Sequence, residues 1–127
     1  MPHMIIEYSS GALDQAAVTS LMKALSETAS GTGVVRAEDI KVRATSYHHF
    51  LVAGAEESFI HLSVHLLAGR TPDQKETLSI SLRRTMSELC PEVISLSVDI
   101  RDMDPAAYKK RLREMKDRPV ISVADKL

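Results

Sequence analysis

The stretch from Ser58 to Leu67 constrains the fold more than any other part of the chain. Apolar side chains occupy every second position in it, and polar or aromatic side chains fill the positions between. Successive side chains of a strand point to opposite faces, so this pattern predicts a strand with one buried and one open face. The buried face is expected to consist of Ile60, Leu62, Val64 and Leu66. A sheet that buries one face needs a second layer, which helices of the chain must supply.

A helix start follows this strand. Thr71 suits the N-cap, Pro72 suits the first helical position, and Gln74 can close a capping box with Thr71. Apolar residues then recur at helical spacing until Pro91, which ends the helix. These residues are Leu78, Leu82, Met86 and Leu89. Alternation from Val93 to Ile100 predicts one more strand, so the second half of the chain has the order strand, helix, strand.

The first half of the chain shows the same order. Met4 to Tyr8 predicts a strand, Leu13 to Ala29 carries apolar residues at helical spacing, and Ile40 to Tyr47 alternates again. An extended segment at 48–52 and a turn at 53–57 predict a short hairpin with the strand at 58–67. We therefore expect an α/β (α+β) fold, a duplicated β-α-β chain with a four-stranded mixed sheet and two helices on one face.

The chain of 127 residues suits a single domain with a sizeable core. We assign residues 1–47 to the first β-α-β unit and residues 48–103 to the hairpin and second unit. A C-terminal helix opened by Asp104 is predicted next, followed by an arm from 117 to 127. One side of this helix is expected to carry Tyr108, Leu112 and Met115. The basic residues Lys109, Lys110, Arg111 and Arg113 are expected to form its solvated face.

Composition argues against several classes of function. A formal net charge of -1 and 4% aromatic residues do not suit a nucleic-acid surface. The sequence has neither a membrane-length apolar stretch nor the features of a signal peptide, so we expect a cytoplasmic protein without a membrane partner. Cys90 is the sole cysteine, and His61 and His65 would lie roughly 13 Å apart on a strand, which argues against a metal site.

Pro2 is the candidate catalytic residue. Removal of Met1 would leave Pro2 as a secondary amine directly before an apolar strand. A free α-amine has a pKa near ~7.7–8.0, and burial beside cations lowers it, so this amine would be neutral near pH 7 and able to take up and return a proton. The alternative is that a proline at position two merely begins a strand, where its missing N–H costs little.

The start of the chain, from Pro2 to Ser9, resembles the amino terminus of the 5-carboxymethyl-2-hydroxymuconate delta-isomerases of the tautomerase superfamily. The stretch from Leu67 to Leu78, with Gly69 and Arg70 before a helix start, resembles the first turn and helix of the 4-oxalocrotonate tautomerase subunit. Length and segment order also fit the isomerase. The resemblance implies a homotrimer built around a barrel of sheets, and a cofactor-independent enzyme with Pro2 as its general acid/base.

Three cations are candidate ligands for a small anionic carboxylate substrate. Arg70 is expected between a strand end and a helix N-terminus, where its guanidinium and backbone N–H groups can bind a carboxylate together. It also matches the arginine of the tautomerase turn. Lys41 and Arg43 lie two apart in a strand and project to one face. The isomerases tend to carry two arginines here, so Lys41 departs from the pattern and loses bidentate geometry. Solvated surface positions are the alternative for all three.

Two classes of function remain open at this point. The favoured one is an isomerase of a 2-hydroxymuconate-type carboxylate in aromatic degradation, which tautomerises the keto-enol or shifts a double bond. Another activity of the tautomerase superfamily would keep the same base. The second class is a non-catalytic oligomeric α/β binding module whose proline start is accidental. In either class we expect self-association to cover the sheet face opposite the helices, because the sequence places apolar and small residues on that face.

Overall fold

The computed structural model describes residues 1–113 of the chain. The elements follow in the order β1 (His3–Ser9), α1 (Gln15–Gly31), β2 (Lys41–Tyr47), β3 (Phe59–Leu67), α2 (Pro72–Leu89) and β4 (Ser95–Met103), with a short 3₁₀ helix (Ala37–Asp39) before β2. One sheet contains all four strands in the order β2-β1-β3-β4. β1 is parallel to β2, β3 is parallel to β4, and β1 and β3 are antiparallel. The predicted duplicated β-α-β fold with a mixed sheet is confirmed.

The core lies between one face of the sheet and the two helices. The four alternating apolar residues of β3 are fully buried, as are Met4 and Ile6 of β1. The helices contribute Leu21, Leu25 and Ala29 from α1 and Leu78, Leu82 and Met86 from α2. Each large apolar side chain buried in this way contributes ~1.5–3 kcal/mol. Leu89 was predicted to continue the α2 stripe but is 49% exposed, and the following Cys90 is buried in its place at the helix end.

The predicted capping box of α2 is present. The Thr71 hydroxyl accepts a hydrogen bond from the Gln74 backbone N–H at 3.1 Å, and the Gln74 side chain accepts one from the Thr71 N–H at 2.9 Å. Gly69, just upstream, has a φ of +131°, which a side chain would disfavour. The chain therefore turns at Gly69 from β3 into α2, and this turn positions Arg70.

The predicted pairing of residues 48–52 with β3 does not form. β1 and β4 occupy both edges of β3, so no edge is left for a further strand. The hairpin is reduced to a tight turn in which Val52 and Ala55 exchange backbone hydrogen bonds of 2.8 and 3.0 Å.

The predicted helix from Asp104 is wrong over the described residues. Asp104 begins a single turn, in which its carboxylate accepts from the Ala106 N–H at 2.9 Å and its carbonyl accepts from the Tyr108 N–H at 3.0 Å. Residues 108–113 have no regular secondary structure. Tyr108 and Lys110 instead bind groups near the chain start, and these tertiary contacts override the local helical pattern. Met115 and the predicted arm at 117–127 lie outside the described residues.

The open face of the sheet, opposite the helices, is more polar than predicted. It carries His3, Ile5 and Glu7 of β1 and the residues in register with them on the other strands. Its polar members include Lys41, Arg43, Thr45, His61, Ser63, His65, Ser97, Asp99 and Arg101. Any copy of the chain that covers this face must therefore satisfy many polar groups. No helix within residues 1–113 combines the length and the apolar character that crossing a membrane requires.

Candidate active site

Four basic side chains lie side by side across the open face at the end of the sheet where β1 begins. The strand register aligns Lys41 of β2 with His3 of β1, His3 with His65 of β3, and His65 with Arg101 of β4. We call these four residues the basic row. Pro2 immediately precedes the row, so the start of the chain lies at the most basic part of the sheet.

The chain terminus is enclosed at this end. Pro2 is fully buried, and its carbonyl accepts a 3.0 Å hydrogen bond from the Lys41 N–H. With Met1 in place, the Pro2 nitrogen is in an amide bond and the terminal amine belongs to Met1. That amine donates a 2.6 Å hydrogen bond to the Asp39 carbonyl. Met1 itself is only 5% exposed. The start of the chain is therefore fixed by backbone contacts to the 3₁₀ helix and to the beginning of β2.

The electrostatic environment favours a neutral amine at this place. The pKa of the Met1 amine is lowered to about 6, mainly by burial and then by the positive charges of Lys41 and Lys110. The Asp39 carboxylate opposes them. An amine with this pKa is mostly unprotonated at pH 7 and can accept a proton.

His3 links the sheet to the segment that follows β4. Its Nδ1 lies 3.1 Å from Nη1 of Arg43, and its Nε2 lies 3.0 Å from the Tyr108 hydroxyl. A guanidinium only donates, so Nδ1 must be the acceptor, and the ring proton is on Nε2, which donates to Tyr108. Burial, followed by Arg43 and Lys41, lowers the pKa of His3, which agrees with a neutral ring. Through these two contacts His3 orients the Arg43 and Tyr108 side chains.

Lys41 and Arg43 both project from β2 onto the open face, as their spacing predicted. Lys41 belongs to the basic row and is half-buried, whereas Arg43 pairs in register with Ile5 and is exposed. Arg43 reaches back along the sheet to His3. Both cations therefore lie near the chain start, and Lys41 is among the charges that lower the pKa of the terminal amine.

Arg70 lies beyond the C-terminal end of β3, which is the same end of the sheet. Its guanidinium donates to the Val34 carbonyl through Nε and Nη2 at 3.4 Å, and to the Leu67 carbonyl through Nη1 at 3.2 Å. These contacts tie the loop after α1 to the end of β3. Within residues 1–113 they use three of the five guanidinium N–H groups, which leaves two for a ligand there.

Two residues of this end were not predicted as part of the site. Lys110 is ion-paired with Asp39, with 3.2 Å between Nζ and Oδ1, and Tyr108 packs edge-on against His3 with ring centroids 5.9 Å apart. The Tyr108 and Lys110 contacts join residues 105 and 71 positions apart in the chain. Neither separation leaves a periodic signal in the sequence. The turn-forming side chain of Asp104 was the available signal that the segment folds back.

Solved structures with the same fold include fused 4-OT proteins. The protein Pt0534, inactivated by 2-oxo-3-pentynoate, is 20% identical with a TM-score of 0.78 over 85% of this chain and 91% of that chain. A fused 4-OT described as a symmetric trimer is 24% identical with a TM-score of 0.70, over 80% and 85% of the two chains. At these identities the likeness establishes the fold, which is that of the 4-OT-like tautomerases.

The family is narrower than this class. The family model for 5-carboxymethyl-2-hydroxymuconate isomerase matches residues 2–115, so the chain belongs to that family. A 5-carboxymethyl-2-hydroxymuconate isomerase from Deinococcus radiodurans has the same fold, with 20% identity and a TM-score of 0.76 over 88% of this chain and 90% of that chain. A comparison with curated protein sequences finds no significant match. Family membership supports an isomerase activity.

Proposed function

We propose that the chain is a cofactor-independent isomerase of 2-hydroxymuconate-type carboxylates such as 5-carboxymethyl-2-hydroxymuconate, with Pro2 as its general acid/base once Met1 has been removed. The observation that carries this proposal is the enclosed chain terminus beside the basic row, where the pKa of the Met1 amine, one residue before Pro2, is lowered to about 6. Membership of the isomerase family supports the reaction class. The same base would also serve another activity of the tautomerase superfamily.

The proposed reaction moves one proton within the substrate. The neutral Pro2 nitrogen takes the proton of the enol hydroxyl and leaves a delocalised dienolate. The protonated amine then returns that proton to a carbon of the conjugated system, which forms the ketone and shifts the double bond. No proton or electron is gained or lost overall. Because Pro2 is buried and held by Lys41, it would lose little entropy when aimed at the substrate.

The cations of this end would stabilise the negative charge of the substrate. Arg70 has N–H groups left for a carboxylate or the developing oxyanion, and it lies beside the N-terminus of α2, which also favours anions. Arg43 or Lys41 would bind a carboxylate at the open face. This arrangement would place the base between two groups of cations, as a substrate with carboxylates at both ends requires.

We propose in addition that the chain works as a homotrimer. Neighbours of the same fold are described as symmetric or asymmetric trimers. The open face carries half-buried apolar residues beside its polar rows, and the edge strands β2 and β4 are available for pairing. Light scattering coupled to size exclusion should give a mass of three chains, and a monomer at micromolar concentration would contradict this assembly.

A covalent probe tests the role of Pro2. The alkynone 2-oxo-3-pentynoate, which inactivated the neighbour Pt0534, can add to a neutral amine. In this addition the nitrogen bonds to an alkyne carbon, and its proton moves to the adjacent carbon. We expect the processed protein to gain the mass of one inhibitor on the peptide that begins at Pro2, and to lose tautomerase activity at the same rate. Inactivation with the label on another residue would overturn the assignment.

A matched pair of variants completes this test. Pro2→Ala removes the ring nitrogen, whereas Pro91→Ala makes the same replacement at an exposed position after α2. Labelling of the Pro91→Ala protein should equal that of the parent protein. Labelling of Pro2→Ala should be slower, because the ring-held secondary amine is gone.

A further inference from the structure

The segment after β4 returns to the start of the chain and covers it. Asp104 sets the turn, Tyr108 accepts the hydrogen bond from His3, and Lys110 pairs with Asp39. We call residues 104–110 the C-terminal wall. Because the Tyr108 and Lys110 contacts join the wall to the end of the sheet that carries Pro2, the wall borders the candidate site.

Lys110 and the terminal amine are held by two oxygens of the same residue. The amine donates to the carbonyl of Asp39 at 2.6 Å, and the Lys110 ammonium lies 3.2 Å from the Asp39 carboxylate. The ammonium charge is close enough to contribute to the lowered pKa of the amine. Lys110 is therefore one of the cations of the candidate site, although in the sequence it lies after the last strand.

The Lys110 ammonium retains capacity for a ligand. An ammonium has three N–H donors, and the contact with Asp39 uses one of them. The side chain of Lys110 is 36% exposed, so solvent, and therefore a substrate, can reach it. Among the basic residues at 109–113, Lys110 is the one that forms an ion pair with the described part of the chain. Its neighbour Lys109 is exposed and supplies a matched control.

We propose that Lys110 binds a substrate carboxylate, and that the C-terminal wall thereby makes the site prefer substrates with two carboxylates over substrates with one. This inference rests on the proposed isomerase function and adds a specificity-determining residue to it. Arg70 and the cations of β2 hold one part of the substrate, and Lys110 adds a positive charge on the side formed by the wall. A substrate with a single carboxylate gains nothing from this second position.

A purely structural role for Lys110 makes a different prediction. If Lys110 only holds the wall against Asp39, its loss should affect all substrates equally. The loss of activity should also resemble that caused by Tyr108→Phe. This substitution removes the hydroxyl bound to His3 but leaves every charge in place. The ratio of activities on two substrates therefore separates ligand binding from structural support.

The kinetic test compares Lys110→Met with Lys109→Met, which removes the same charge from the same segment. The probes are 2-hydroxymuconate, with two carboxylates, and phenylenolpyruvate, with one. We expect Lys110→Met to lower kcat/KM for 2-hydroxymuconate about tenfold, mainly by raising KM. The kcat/KM for phenylenolpyruvate should change less than about twofold. Lys109→Met should match the parent protein on both, and Lys110→Arg should restore most of the loss. Equal losses on both probes, or no loss, would overturn the inference.

A binding measurement keeps the inference separate from the proposed function. cis,cis-Muconate has two carboxylates but no enol, so calorimetry reports its binding whether or not the protein is a tautomerase. Weaker binding to Lys110→Met than to Lys109→Met supports the inference, even if the parent protein proves inactive. Unchanged binding to Lys110→Met, or no binding to the parent protein, overturns it. Tautomerase activity that depends on Pro2 would still uphold the proposed function in that case.

Discussion

The two ends of the sheet differ in what their polar groups contact. At the end where β1 begins, the basic row, Arg70 and Lys110 lie at the same end of the sheet as the chain terminus, and several of their donors are not used within the described chain. Positive charges collected at one place attract anions. This end is therefore suited to a ligand.

At the opposite end, where β1 finishes, polar groups are paired with each other. The buried hydroxyl of Ser9 accepts a 3.0 Å hydrogen bond from the Phe59 N–H, and the Tyr47 hydroxyl donates to Glu7 at 2.5 Å. Tyr47 and Phe50 also pack around the Phe59 ring. Such contacts close the fold and leave little for a ligand. The comparison predicts that substitutions at this second end change stability and leave the proposed activity unaffected.

Replacing Pro2 should produce the largest effect. General acid–base catalysis contributes about 10²–10⁴-fold, so Pro2→Ala is expected to lower kcat for 2-hydroxymuconate by about 10²-fold or more. Pro91→Ala should leave kcat unchanged. Steady-state kinetics measure both, with circular dichroism to verify the fold. A folded Pro2→Ala protein with the parental kcat would show that the terminal residue is not the base.

Replacing Arg70 should reduce both activity and stability. A charge-assisted hydrogen bond contributes about 1.5–3 kcal/mol, so Arg70→Ala is expected to lower kcat/KM by about 10- to 100-fold. The Val34 and Leu67 carbonyls also lose their donors, which should lower the free energy of unfolding by about 1–3 kcal/mol. The exposed Arg84 of α2 supplies the control, because Arg84→Ala should change neither quantity. If Arg70→Ala lowered stability but left kcat/KM unchanged, Arg70 would have only a structural role.

Replacing Ser9 should affect stability without affecting activity. Ser9 is 1% exposed, and its hydroxyl is the acceptor for the Phe59 N–H. Ser9→Ala leaves that partly buried N–H unpaired, which is expected to lower the free energy of unfolding by about 1–3 kcal/mol in urea titrations. The kcat should remain parental, because the contact lies at the end away from Pro2. A large fall in kcat with little change in stability would contradict the separation of the two ends.

His3 should give the smallest effect, as a pH dependence of stability. Its pKa is lowered in the folded chain, so at mildly acidic pH the unfolded state binds more protons than the folded state. The contribution of neutral His3 to the free energy of unfolding is therefore present above its ordinary pKa of 6.5. This contribution is lost as the pH falls through 6.5 toward the lower pKa of the folded state. Urea midpoints measured above and below pH 6.5 should differ less in His3→Gln than in the parent protein. An equal or larger difference in His3→Gln would exclude this role.

Elements whose signals are local could be predicted from the sequence. The alternation of β3 specified its buried face, and Thr71 and Gln74 specified the start of α2, because periodicity and capping depend on neighbouring residues. The candidate residues Arg70 and Arg43 came from the same kind of reasoning joined to a family resemblance. The structure brings both to the end of the sheet that carries Pro2.

Features that depend on register and on distant contacts could not be predicted. The basic row exists only because three strand pairings align His3, Lys41, His65 and Arg101, and their spacing along the chain does not indicate this. The segment that contains Tyr108 and Lys110 has a helical sequence pattern, but both side chains contact residues near the chain start. Burial and charge pairing in these contacts outweigh the local helix propensity. The failed hairpin has a similar cause, since both edges of β3 were already paired.

The most direct test of the account is titration of the terminal amine itself. Protein with Met1 removed and Pro2 labelled with ¹⁵N can be followed by NMR across the pH range, in parallel with kcat/KM for 2-hydroxymuconate. We expect the Pro2 amine to titrate well below the ~7.7–8.0 of a free α-amine, and the acid limb of kcat/KM to follow the same pKa. An amine that titrates near its ordinary value, or an acid limb independent of it, would contradict the assignment of Pro2 as the base.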